Sequence, residues 1–169
     1  MKKFISICLG VCLWGSISAQ TQLKVMSFNI HAGYDAPIAE IAAFIKEQDP
    51  DIVALQEVEY YTNRTGANTP RPINNNINML NELAYLTGMH GMFYVTLEKC
   101  YGGKFGNAIL SKHSFVETSR ILLPCAAGTE QRCAAIAKIA LSDGSEVSVI
   151  DTHIDMSQLD NGMAQIKEV

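Results

Sequence analysis

The stretches LKVMSFNI at residues 23–30 and DIVALQEV at residues 51–58 decide the fold. Both have the apolar composition that is typical of strands. Between them, over residues 37–49, apolar side chains recur at the spacing of a helix that buries one stripe. Strand, helix and strand form a β-α-β unit, whose two strands run parallel in one sheet. Asn29 and Glu57, at equivalent ends of those strands, are therefore expected at the same edge of the sheet.

Beyond this unit, strand-like runs alternate with turn signals. A polar segment over residues 60–76 predicts a surface loop, and a second helix is expected from residue 77 to about Gly88. Asp143-Gly144 predicts a tight hairpin turn, because this pair accepts positive φ angles. Further strands are predicted at residues 92–97, 107–111, 115–123, 134–141 and 146–150, and a final helix at 158–169. The pattern predicts an α/β sandwich with substantial antiparallel pairing. Because no Gly-rich phosphate loop follows the first strand, a doubly wound nucleotide-binding fold is not expected.

Residues 1–19 have the organisation of a bacterial-type secretory signal. Two lysines precede an apolar run over residues 4–14, and a small-residue stretch ends at Ala19. The apolar run is too short to span a bilayer, and a buried N-terminal helix is the alternative. We expect a secreted or periplasmic protein whose globular domain covers residues 22–169, with no integral membrane segment once the signal is removed.

Composition narrows the range of partners. The 169-residue chain is long enough for one domain with a core, and its formal net charge is -4. Strong non-specific binding to nucleic acid depends on many lysines and arginines that neutralise phosphates. Nucleic acid is therefore a possible partner, but the net negative charge does not favour it. A small or isolated phosphoester is more compatible with this charge.

Three cysteines remain after the signal. Cys125 and Cys133 flank a short loop between two predicted strands, so they can pair in an oxidising compartment. Cys100 would then be the odd thiol or would pair with a group beyond residue 169. Three buried thiols are the alternative. Their spacing matches no metal-binding motif.

Four segments carry polar groups at strand ends or in the adjoining loops. They supply an amide at Asn29, a carboxylate at Glu57, a second amide at Asn107 and an imidazole at His153. Oxygen ligands in such small numbers suit Mg²⁺ or Mn²⁺, and an imidazole beside the metal can stabilise a phosphate oxygen. Each residue also has a structural interpretation, such as a turn cap for Asn29 or a surface carboxylate for Glu57.

Taken together, the segments SFN (27–29), DIVALQEV (51–58), GNAILSK (106–112) and THID (152–155) resemble the endonuclease/exonuclease/phosphatase family in wording, order and spacing. An EQR segment at 130–132 strengthens the resemblance, which runs from about Leu23 to the last residue. It implies a four-layered α/β sandwich of the DNase I-like type. It also implies a magnesium-dependent hydrolase that acts on phosphoester bonds as a phosphodiesterase, nuclease or phosphatase.

The resemblance also assigns roles. It implies that Asn29 and Glu57 hold the divalent metal, Mg²⁺ or Mn²⁺, with Glu57 as the direct ligand, and that His153 is the catalytic residue that contacts the scissile phosphate. Arg132 is expected to bind substrate or to pair with a carboxylate such as that of Glu130. Asn107 is expected to line the substrate pocket. Arg64 is a weaker candidate for a substrate contact.

Two later family segments have no counterpart in this sequence. They are GDxN, which positions the attacking water, and SDH, which supplies a further carboxylate and histidine. We therefore expect an incomplete sandwich that lacks its C-terminal portion, poorly soluble or inactive by itself, and belonging to a full-length protein that is a monomeric enzyme. The alternative is a catalytically dead module that retains the phosphate-binding cleft. The substrate stays open among DNA, RNA, inositol phosphates, phospholipids and other phosphoesters.

Overall fold

The computed structural model describes residues 22–63 and 76–169. The predicted signal at residues 1–19 and Arg64 lie outside these ranges. In chain order the elements are β1 (Val25–Asn29), a single 3₁₀ turn (His31–Gly33), α1 (Ile38–Gln48), β2 (Ile52–Tyr60), α2 (Met79–Thr87), β3 (His90–Cys100), β4 (Gly103–Ser111), β5 (Ser114–Leu122), β6 (Cys133–Ala140), β7 (Glu146–Thr152) and α3 (Leu159–Glu168).

The predicted β-α-β unit is confirmed. β1 and β2 pair in parallel, with Asn29 opposite Gln56 at the carboxyl end of the pair. α1 begins directly after Pro37, and it ends where Asp49 adopts a left-handed conformation and donates its backbone N–H to the Ile45 carbonyl. The helix buries the stripe that the spacing predicts, including Ile41 and Ile45.

The strands form two sheets. The first has the order β1-β2-β4-β3 and the second the order β5-β6-β7. Every pairing except that of β1 with β2 is antiparallel. The predicted Asp143-Gly144 turn joins β6 to β7, and Gly144 has the positive φ of 84° that this turn requires. The strands begin and end within a few residues of the predicted ranges, and β3 and β4 are longer than predicted because they continue into one hairpin.

Packing arranges the elements in layers. α1 and α2 cover one face of the first sheet, where Ile45, Leu55 and Leu83 are fully buried. The other face of that sheet packs on the second sheet through Ile109 and a row of small and branched side chains from β6. This mixed α/β arrangement with two stacked sheets confirms the predicted fold class.

The outer face of the second sheet is partly apolar and open to solvent. Ile121 is 45% exposed and Ile150 is 51% exposed. The helices of the described ranges are 9 to 11 residues long, and none combines the length and apolarity needed to cross a membrane.

The structure shows no disulfide among the cysteines of the described residues. Neither sequence-based expectation holds in full, since Cys125 and Cys133 are not paired and Cys125 is exposed. Cys125 lies in the loop before β6, where its Sγ contacts Thr129, whereas Cys133 is buried between the two sheets. Burial raises the pKa of the Cys133 thiol to about 11, so it remains protonated at neutral pH.

Candidate active site

Asn29 and Glu57 meet at the edge of the first sheet, as the β-α-β unit predicts. The Asn29 amide nitrogen donates to Glu57 Oε1 at 2.8 Å, and its oxygen accepts the His31 backbone N–H at 2.8 Å. The His31 contact fixes the orientation of the amide. Asn29 therefore presents its nitrogen to Glu57 and holds that carboxylate in place, while its predicted role as a metal ligand stays a prediction.

Glu57 occupies an irregular position in β2. The pairing of β2 with β4 shifts register between Leu55 and Val58, and Glu57 has a left-handed φ of 59°. A non-glycine residue in this conformation is strained, and such strain is common at functional sites. The bulge allows Gln56 to lie inside the protein while the next residue, Glu57, reaches an open cleft.

The cleft has a cavity of 410 Å³ beside β2 and the end of β7. Its lining combines charged and hydroxyl residues with apolar ones, and it is formed by Glu57, Gly128, Thr129, Glu130, Arg132, His153, Ile154, Asp155, Met156 and Ser157. Three of the predicted site residues, Glu57, Arg132 and His153, therefore share one cavity. Asn107 does not line it, and its predicted contact with substrate stays a prediction.

His153 lies between a carboxylate and a guanidinium. Its Nε2 is 3.9 Å from Glu57 Oε1, and its Nδ1 is 3.2 Å from Arg132 Nη1. Arg132 also pairs with Glu130, at 3.4 Å. Burial lowers the pKa of His153, the nearby Arg132 charge lowers it further, and Glu57 and Glu130 act in the opposite direction. The net lowering favours a neutral imidazole at pH 7.

Asp151 lies below the cleft between the two sheets and is 3% exposed. Its carboxylate accepts hydrogen bonds from Gln56 Nε2 at 2.6 Å and from Asn107 Nδ2 at 3.1 Å. Burial raises the pKa of Asp151 to about 6, although these hydrogen bonds lower it. The carboxylate links Gln56, the residue before Glu57, to β7, the strand that His153 directly follows.

Sequence reasoning missed Asp151 and Gln56. A signal for Asp151 was available, because strand alternation in β7 places it on the same face as Val147 and Val149. A carboxylate on an apolar strand face needs hydrogen-bond donors from elsewhere in the fold. The identity of those donors was not readable from the sequence.

Asp155, the last residue of the THID segment, organises the loop that leads to α3. Its carboxylate accepts from Ser157, through both the backbone N–H and the hydroxyl, and from Asn161 Nδ2. These contacts lower the pKa of Asp155, with the Ser157 hydroxyl as the largest cause. Asp155 thus shapes one wall of the cavity through its own hydrogen bonds.

The possible metal ligands at this site suit a magnesium ion that keeps several water ligands better than an ion bound entirely by protein side chains. Within residues 22–63 and 76–169, no group of three or more histidine, cysteine, aspartate or glutamate side chains is placed to share a metal. Glu57 supplies one half-buried carboxylate that opens on the cavity. Mg²⁺ commonly binds through one or two carboxylates together with water and substrate phosphate. The Glu57 carboxylate, on the wall of this cavity and held by Asn29, fits that mode.

A family model described as "Endonuclease/Exonuclease/phosphatase family" matches residues 26–143. The match contains Asn29, Glu57, Asn107 and Arg132 and ends before His153. A comparison with curated proteins finds no match.

Solved structures share the fold. An endonuclease/exonuclease/phosphatase from Beutenbergia cavernae is 24% identical with a TM-score of 0.66, over 86% of this chain and 42% of that one. Truncated TDP2 from Caenorhabditis elegans is 21% identical with a TM-score of 0.58, over 86% and 51%. ANGEL2, described as a 2′,3′-cyclic phosphatase, is 17% identical with a TM-score of 0.58, over 85% and 44%. The chain thus spans about two fifths to one half of the length of these structures.

Proposed function

Because the chain belongs to the endonuclease/exonuclease/phosphatase family, we propose that it forms the metal- and phosphate-binding wall of a secreted, metal-dependent phosphoester hydrolase. The convergence of Glu57, His153 and Arg132 on one cavity carries this proposal. Endonucleases, exonucleases and phosphatases all hydrolyse phosphoester bonds, so the reaction class follows from the family. We assign turnover to a protein that also carries the water-activating segments, and metal and phosphate binding to the residues described here.

The two sides of the cleft have different proposed roles, metal binding on one side and phosphate binding on the other. Glu57, held by Asn29, would bind the metal, which when present neutralises charge on the phosphate and polarises its oxygens. On the other side, His153 would offer an N–H donor to a phosphate oxygen, with the Arg132 guanidinium beside it. Donors positioned in advance stabilise the charge that builds up in the transition state.

The metal assignment is tested by titrating the chain with Mn²⁺ in a calorimeter. We expect Glu57→Gln, which removes the charge and keeps the shape, to weaken binding by at least about tenfold. Glu117→Gln is the matched control, because Glu117 is exposed on β5 and does not line the cavity. Equal Mn²⁺ affinity in the wild type and Glu57→Gln would overturn the assignment.

The reaction class is tested with bis-(p-nitrophenyl) phosphate and Mg²⁺, in a chain that includes the later segments. Hydrolysis that a chelator and Glu57→Gln both abolish supports the enzyme. Metal-dependent binding of inorganic phosphate without any turnover supports the alternative, a phosphate-binding module. Failure to bind either metal or phosphate contradicts both functions.

The charge distribution favours a small or isolated phosphoester over duplex DNA. The cavity lining carries three carboxylates, on Glu57, Glu130 and Asp155, against Arg132 and a largely neutral His153. With the overall charge of -4, this leaves little attraction for a polyanion. A fluorescently labelled DNA duplex is expected to bind weakly at about 0.15 M salt, where surface charges are screened beyond about 8 Å.

Secretion is a separate proposal that rests on the order of residues 1–19. Expression in a bacterium should place the protein in the periplasm or the medium, with a mature N-terminus at or next to Gln20. Recovery of an uncleaved chain in the cytoplasm would contradict it.

A further inference from the structure

The contact between Arg132 and His153 determines where the imidazole carries its proton. Arg132 Nη1 lies 3.2 Å from His153 Nδ1. A guanidinium has five N–H donors, no acceptor, and does not lose its proton in proteins. The hydrogen bond therefore requires Nδ1 to be the acceptor, with its lone pair directed at the arginine.

A neutral imidazole whose Nδ1 is an acceptor must carry its hydrogen on Nε2. Nε2 is the nitrogen that lies 3.9 Å from Glu57 Oε1, on the side of the cavity. This distance is too long for a direct hydrogen bond, so the Nε2–H is available to a group that enters between the two side chains. The imidazole thus presents a donor to the cleft.

Arg132 is itself held in place. It directly precedes β6, and its backbone carbonyl accepts the Leu123 N–H at 2.9 Å. Its guanidinium pairs with Glu130, and only 14% of its side chain is exposed. Its Nε is buried without a hydrogen-bond partner among the described residues. A guanidinium buried at this position is restricted in the directions to which it can turn.

We propose that Arg132 is a positioning residue that locks His153 in the tautomer with hydrogen on Nε2, so that His153 acts as a hydrogen-bond donor to substrate phosphate. The assignment of phosphate as the acceptor rests on the proposed function, whereas the tautomer rests on the geometry of this chain alone. The role differs from a direct contact between Arg132 and phosphate, because here the arginine acts through the histidine.

The tautomer is measured directly by ¹⁵N NMR of the histidine-labelled protein, without metal or substrate. The chain has four histidines, and His153→Gln identifies the signals of His153 by their loss. In the wild type we expect a protonated Nε2 and an unprotonated Nδ1. A protonated Nδ1 in the wild-type protein overturns the proposal whatever the variants do.

Three variants test the cause. Arg132→Met removes the donors at similar length, and we expect the two His153 nitrogen signals to move toward each other as both tautomers become populated. Arg132→Lys keeps a donor-only cation and is expected to restore the wild-type pattern. Arg120→Met is the matched control, because Arg120 lies on β5 and pairs with Glu98. Circular dichroism and thermal melts show whether each variant is folded.

Phosphate binding separates this role from a direct contact. With Mn²⁺ present, we expect Arg132→Met to weaken inorganic phosphate binding by about tenfold and to change the tautomer. Weaker phosphate binding with an unchanged tautomer would show a direct contact and overturn the proposal. If the protein binds neither Mn²⁺ nor phosphate but shows the expected tautomers, the proposed function fails and the positioning of His153 by Arg132 stands.

Discussion

At the scale of single residues, Asp151 couples the two halves of the cleft. It accepts amide hydrogen bonds from Gln56 and Asn107, which belong to the opposite sheet. Its burial strengthens these bonds and also penalises its negative charge. The position of His153, two residues later, is therefore tied to a carboxylate whose charge depends on pH.

We predict that Asp151 makes folding stability depend on pH between about 4 and 6. Burial raises its pKa from 3.8 to about 6, so in this window the folded protein binds a proton that the unfolded chain does not. The stabilisation of the folded protein by this proton is fully present below pH 4 and is lost as the pH rises through 6. Its size across the window is on the order of 2–3 kcal/mol.

This contribution of Asp151 to the free energy of unfolding is measured by urea unfolding of the wild type and Asp151→Asn at several pH values between 4 and 7. We expect the difference in unfolding free energy between the two proteins to change across the window, in favour of the wild type at low pH. Asp160→Asn, at an exposed position on α3, is the control. A constant difference from pH 4 to 7 would refute the prediction.

The backbone of Glu57 is strained, because this residue lies at the bulge in β2. At a φ of 59° glycine is favoured over other residues by about 1 kcal/mol. We therefore predict that Glu57→Gly is more stable than Glu57→Ala by about 1 kcal/mol, with both measured in chelator. In either variant the carboxylate, and with it metal binding, is lost.

The same pair of substitutions at Ser119, an exposed position where β5 pairs with β6 without a register shift, gives the control. There glycine should be less stable than alanine, because it loses more conformational entropy on folding. If Glu57→Ala equals or exceeds Glu57→Gly in stability, the left-handed conformation does not store the strain inferred here.

At the scale of elements, the β3–β4 hairpin depends on close approach at Gly106. A Cβ at this position would lie 2.0 Å from the Tyr94 carbonyl oxygen and 3.0 Å from the Thr96 nitrogen. These are backbone atoms of the paired strand, which cannot move without breaking the ladder. Gly106 also directly precedes Asn107, whose amide donates a hydrogen bond to Asp151. A substitution at Gly106 is therefore expected to disturb that contact as well.

Gly106→Ala is therefore expected to destabilise the protein by about 3 kcal/mol or more, through overpacking against backbone. Gly144→Ala supplies the comparison, since nothing lies within 4 Å of its added methyl and its φ is 84°. Only backbone strain of about 1–2 kcal/mol applies there. Thermal or urea melts of the two variants test the order, and a smaller loss for Gly106→Ala would contradict it.

At the scale of the whole molecule, the layers are unequally covered. Helices shield the first sheet, while Ile121 and Ile150 are exposed on the outer face of the second. Ile136 of β6 lies between their strands and pairs with Ile150. Exposed apolar strand faces of this kind promote association.

We predict that the chain self-associates through this face and that Ile121→Lys with Ile150→Lys shifts it toward monomer. Analytical ultracentrifugation over a range of concentrations measures the change. Tyr85→Lys is the control, because Tyr85 is 83% exposed but lies on α2, in the helix layer. A wild-type chain that is already monomeric at high concentration would count against the prediction.

The sequence by itself determined the elements, the parallel β1–β2 pair and the meeting of Asn29 with Glu57. These follow from local periodicity, turn residues and the rule that a β-α-β unit aligns the ends of its strands. The family also followed from short segments that occur in a fixed order along the chain.

The tertiary structure alone decided how these segments contact one another. It supplied the bulge that turns Glu57 into the cleft, the two amides that bind Asp151 and the arginine that orients His153. Gln56 and Asp151 are 95 residues apart, and Arg132 and His153 are 21 apart. The first contact depends on how the two sheets stack, and the second depends on side-chain directions just beyond the paired ends of β6 and β7. Local patterns encode neither, and for that reason these contacts could not be predicted from sequence.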